Sequence, residues 1–158
     1  MPRKKKSKKQ EPEDIRYELK IMDYEPYYHF GINEVPQDLL PGAYLEICSL
    51  TLNCKILLPD LEKANQAQVK LSEEPKLDDF WTDQPTIISA KAVGWMEIPR
   101  GDDTLIFYCS IPSRAFAFVY WSINSGKTKY AALYGTKLKW RRGTVSSFSF
   151  SVEKEDEE

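Results

Sequence analysis

The 158-residue chain is 42% hydrophobic, carries 22 basic against 24 acidic residues, and has a formal net charge of −2. A length of this order makes one domain with a core that needs no disulfide or metal staple. Composition excludes collagen-like, coiled-coil and wholly disordered classes, and no apolar run approaches the ~20 residues of a membrane-spanning helix.

The N-terminus holds Arg3, Lys4, Lys5, Lys6, Lys8 and Lys9. Charge this dense cannot be buried, so residues 1–12 are expected to form a disordered arm able to lie along phosphates. No apolar segment follows, which argues against a secretory signal. Ile15, Tyr17, Leu19 and Ile21 then alternate with Arg16, Glu18, Lys20 and Met22, the period of a strand with one buried face. Pro26, Gly31, Pro36, Pro41 and Gly42 punctuate the next stretch, which reads as a long irregular connection holding Tyr27, Tyr28, His29 and Phe30. Residues 44–58 read as strand again. Their apolar parity switches near Cys48 and Ser49, which suggests a bulge or bend there.

A turn or short helix from Pro59 leads into a strand carrying Ala67, Val69 and Leu71. Residues 76–85 read as a loop. Residues 87–98 and 104–109 read as a hairpin turning at Pro99–Asp103. Residues 112–125 form the one helix candidate. Phe116, Val119, Tyr120 and Ile123 make an apolar face at helical spacing, and Gly126 suits the left-handed position after its end. Strands are expected at 130–134, 137–140 and 145–152, with a turn at Arg141–Gly143. Together these give an α+β class, a mostly antiparallel β domain over 13–152 with one main helix, followed by an acidic tail at 153–158.

The near-neutral total hides a strong layout. Residues 1–12 carry net +5, 13–103 net −10, 104–152 net +7 and 153–158 net −4. The 49 residues from 104 to 152 contain no carboxylate, where about seven would be expected at the chain's average. Such asymmetry points to polyanion binding or to charge-driven association, unless folding interleaves the two halves.

The catalytic signatures are poor. Gly126-Lys127-Thr128 matches the end of a phosphate loop, but Trp121 stands where that loop needs a glycine. His29 is the only histidine, no nucleophile elbow surrounds any serine, and the carboxylates of 78–83 and 102–103 suit turns better than chemistry. Cys48, Cys54 and Cys109 contain no CxxC pair, and no Asn-x-Ser/Thr sequon occurs. Free thiols and a cytoplasmic location fit this best. No catalytic residue, metal site or cofactor is expected, and no motif identifies a family.

A basic hairpin remains as the most concrete candidate. Lys127 and Lys129 share one strand parity, Lys137 and Lys139 another, with Trp140, Arg141 and Arg142 at the adjoining turn. If the parities align, one sheet face carries four lysines, and an exposed Trp140 or Tyr134 could stack a base. The chain is thus expected to be a non-catalytic binding domain that contacts a polyanion, nucleic acid above all, through arm and hairpin. The alternative is a protein-interaction or self-assembling module built on charge complementarity; no membrane partner is expected.

Overall fold

The computed structural model describes residues 13–32, 44–74 and 92–153. Seven strands close into a barrel: β1 (Asp14–Ile32), β2 (Tyr44–Leu58), β3 (Gln66–Glu73), β4 (Gly94–Glu97), β5 (Thr104–Ile111), β6 (Tyr130–Thr136) and β7 (Arg142–Ser151). Their order around the barrel is β1-β2-β3-β5-β4-β7-β6, and β6 pairs back onto β1. All neighbours are antiparallel except β3 and β5, which run parallel. Closure removes the open edges that a sheet of this size would otherwise expose. The described residues are therefore mostly strand, in a single mixed sheet, with one helix among them, α1 (Ser113–Asn124).

Alternation fills the barrel. Tyr17 and Leu19 from β1, Leu50, Leu52 and Cys54 from β2, Val69 and Leu71 from β3, and Leu105, Phe107 and Cys109 from β5 all point inward and are buried. Tyr17 and Phe107 meet edge to face at 5.5 Å, and the Tyr17 hydroxyl donates to the Thr136 carbonyl at 2.9 Å. Burial pushes that phenol up to about 12. The helix closes one end of the barrel. Its Phe116, Val119, Tyr120 and Ile123 pack on the core as the spacing predicts, and Gly126 follows it at φ 72°. Tertiary packing of this face outweighs the strand preference of its aromatic and β-branched residues.

Several local expectations are corrected. Residues 26–30 are not an irregular connection: Pro26, Tyr27, Tyr28, His29 and Phe30 continue β1, paired with residues 46–50 of β2. No register shift occurs at Cys48–Ser49. The pairing instead skips Met22 on β1, Leu57 on β2 and Ser146 on β7. The parity switch along β2 has another cause. Leu50, Leu52 and Cys54 face the core, whereas Leu45 and Ile47 lie beyond the barrel, on the opposite face of a two-stranded ribbon. Residues 137–140 are not a strand: after Thr136 the chain leaves β6, and only an isolated Lys139–Arg142 bridge precedes β7. The hairpin turning at 99–103 is present, with its first strand limited to Gly94–Glu97 and residues 87–91 outside the described residues, and the strand following a turn at 59–65 is β3. The loop at 76–85 lies outside the described residues.

Candidate functional site

Two surfaces, at opposite ends of the barrel, carry features that folding alone does not require. The first is a cleft of about 930 Å³ at the end away from α1. Its floor is apolar, formed by Ile15 and Tyr17 at the start of β1, Ile98 after β4, and Leu61 and Leu138 from flanking turns. Its rim is charged, with Asp60, Glu62 and Lys63 on the β2–β3 turn, Arg100 on the β4–β5 turn and Lys137 after β6. Trp140 stands at the lip and is 89% exposed.

The tip bearing Trp140 is a tight turn in which Trp140 and Arg141 both adopt positive φ, 54° and 67°. Lys139 and Arg142 exchange backbone hydrogen bonds across it at 2.8 and 3.1 Å. Such turns usually hold Asn or Gly, because a Cβ at positive φ is strained. Arg141 offsets its strain: its guanidinium donates to the carbonyls of Ile98, Pro99 and Asp102, each at 2.8 Å. Its role is thus to staple this tip to the β4–β5 turn. Arg142 lies 3.6 Å from Glu97.

The four lysines do not share one sheet face. Lys127 and Lys129 precede β6, at the α1 end, whereas Lys137 and Lys139 follow it at the cleft end. The length of β6 separates the two pairs by roughly 20 Å. Lys139 stands beside Trp140 in the tip without lining the cleft, whereas Lys137 and Trp140 line it together with Lys63 from the β2–β3 turn and Arg100 from the β4–β5 turn. Neither of these was marked by any local pattern; only barrel closure brings their turns to the same rim. Arg3, Lys4, Lys5, Lys6, Lys8 and Lys9 lie outside the described residues. The chain leads into β1 from residue 13 at this same end, where Ile15 lines the cleft.

The second surface is the ribbon. Beyond Lys20 on β1 and Ser49 on β2 the neighbouring strands stop, yet β1 and β2 continue paired to Ile32 and Tyr44. This extension projects roughly 20 Å from the barrel. Tyr28, Phe30, Ile32 and Tyr44 share the face continuous with the barrel interior, and all four are exposed. Phe30 and Tyr44 stack at 5.3 Å. At its root Tyr24 meets Tyr120 of α1 edge to face, and Tyr120 in turn meets Trp121.

The remaining candidates are structural. Thr128, buried, pairs its hydroxyl with Ser122, and its N–H bonds the Ser122 carbonyl, so the Gly126–Thr128 segment closes the helix end. Asp102 accepts from the N–H groups of Asp103 and Thr104, an Asx turn. His29 is exposed on the ribbon opposite Ile47. Asp78, Asp79 and Asp83 lie outside the described residues. All three cysteines are free thiols. Among the described residues no cluster of His, Cys, Asp and Glu could hold a metal ion, and no helix is long and apolar enough to cross a membrane. Comparison with protein-family models, curated proteins and solved structures found no match.

Proposed function

We propose that the protein is a non-catalytic binding module for single-stranded nucleic acid, in a reducing, cytoplasmic setting, with the cleft end of the barrel as its contact surface. The exposure of Trp140 carries this reading. A tryptophan held almost wholly in water, at a backbone conformation that costs energy, has no role in folding, and strain of this kind gathers where a ligand is met. An indole face stacks any base, and Lys137, Lys139, Lys63 and Arg100 supply the surrounding positive charge for phosphates. The basic segment 1–12 precedes residue 13, where the described chain enters the domain at the same end.

The test is a fluorescence titration of the full chain with a short oligothymidylate across a salt series. Binding should quench tryptophan emission, and Trp140→Ala should weaken it on the order of tenfold. Full-length protein with Lys137 and Lys139 changed to glutamine should lose about 0.7 of salt slope per phosphate contact. Absence of binding at low salt, or binding indifferent to Trp140→Ala, overturns the proposal.

A further inference from the structure

At the other end of the barrel, the outer face of α1 presents an anomaly of its own. The helix has no acidic residue and one basic residue, Arg114. One face packs on the barrel, yet the opposite face carries Phe118, 76% exposed, and Trp121, 65% exposed. A helix with large apolar side chains on opposite faces ordinarily buries both of them. The adjoining ribbon shares the defect. A two-stranded ribbon without further cover is marginal in water, and among the described residues nothing covers Tyr28, Phe30, Ile32 and Tyr44.

We propose that a second copy of this chain covers both, the ribbon of each protomer lying on α1 of its partner about a two-fold axis. Three observations select a second copy. The patch has two dissimilar halves at one end of one molecule, as a reciprocal interface requires, since the surface that contacts must also be contacted. The halves are complementary in charge: Glu46 lies on the same ribbon face as Tyr28, Phe30 and Tyr44, whereas Lys127 and Lys129 follow α1. The area also suffices. Six large apolar side chains at these exposures offer roughly 600–900 Å² per copy, close to the ~800 Å² each partner gives to a stable interface. The cleft at the opposite end takes no part, so this assembly neither requires nor precludes ligand binding there.

Sedimentation of the full chain at micromolar concentration should show a monomer–dimer equilibrium. Tyr44→Lys on the ribbon and Phe118→Lys on the helix replace side chains that stand 77% and 76% in water, so neither should unfold the barrel. Each should weaken dimerisation about tenfold or more, as loss of a central aromatic anchor does. The distinguishing experiment mixes the two variants, one isotopically labelled, and reads the products by native mass spectrometry. A reciprocal dimer retains one intact ribbon–helix contact in the mixed pair and none in either homodimer, so the mixed dimer should predominate. A chain that stays monomeric, a dimer insensitive to both substitutions, or a mixture with no enrichment of the mixed pair overturns the proposal. Should either lysine variant fail by circular dichroism, Tyr28→Ser and Trp121→Ser probe the same two halves.

Discussion

Trp140 and Arg141 are consecutive residues at positive φ, and they differ in what holds them there. Arg141 is fixed by three hydrogen bonds from its guanidinium to the carbonyls of the β4–β5 turn, and its own carbonyl accepts from the Ile98 N–H at 2.9 Å. Trp140 has its side chain in solvent. Arg141→Ala should therefore destabilise the barrel by about 1–3 kcal/mol, because charged donors are lost from the carbonyls of Ile98, Pro99 and Asp102, of which Pro99 keeps the Asp102 N–H. Arg141→Lys should recover little, since an ammonium cannot span three acceptors in the plane of a guanidinium. Urea unfolding of the three proteins measures both effects.

Trp140→Gly should act in the opposite direction. Glycine adopts φ 54° without the Cβ clash, so this substitution should raise stability by on the order of 1 kcal/mol. The same protein should lose oligonucleotide binding. A rise in the urea midpoint together with weakened binding would identify the tryptophan as retained for contact at a cost in stability. Unchanged binding would remove the argument for the cleft.

The sequence discloses the local elements better than their arrangement. The bounds of β2, the apolar face of α1 and the β4–β5 hairpin follow from alternation, helical spacing and turn residues acting over short range. The ribbon was hidden because Pro26 and Gly31 resemble loop punctuation, and because apolar residues on both faces of residues 26–32 defeat a reading by alternation. Pairing with β2 overrides both signals. Lys137–Trp140 failed for the converse reason: alternation is present, but the tight turn needs the chain to leave the sheet at Thr136. Trp140 was legible as a candidate because its type and neighbours sufficed. Lys63 and Arg100 were not, since more than thirty residues separate them and only the closed barrel brings them to one rim.

Met96 shows how tightly that closure is packed. It is fully buried on β4, opposite Gly143 of β7. A Cβ at Gly143 would lie 2.7 Å from the Met96 Cε, and one at Gly135 of β6 would lie 3.0 Å from the same atom. The thioether end thus occupies space left by two missing side chains. Gly143→Ala should cost about 1–3 kcal/mol by overpacking, and Met96→Ala about 2–5 kcal/mol by cavity formation. The double variant should cost less than the two together, because the new methyl groups occupy the vacated space. Additive losses in a urea double-mutant cycle would mean that Thr136, whose Oγ1 lies 2.9 Å from the same Cβ position, sets the limit instead.

Alkaline pH should expose the buried thiols. Desolvation pushes Cys54 and Cys109 up to about 12 from an ordinary value of 9.0. Between those values the unfolded chain releases protons that the folded chain keeps. The folded state then binds more protons, so stability falls as pH rises, and the loss begins near pH 9 and is complete near 12. By pH 10 each thiol should account for on the order of 1 kcal/mol. Tyr17, pushed up to about 12 from 10.0 by the same desolvation, adds to the loss only above about pH 10. Urea midpoints at neutral pH and near pH 10 measure the difference. Replacing Cys54 and Cys109 by alanine should lower stability at neutral pH through lost packing, yet flatten the alkaline decline. A decline of unchanged steepness in that variant would place its origin in groups other than these two thiols.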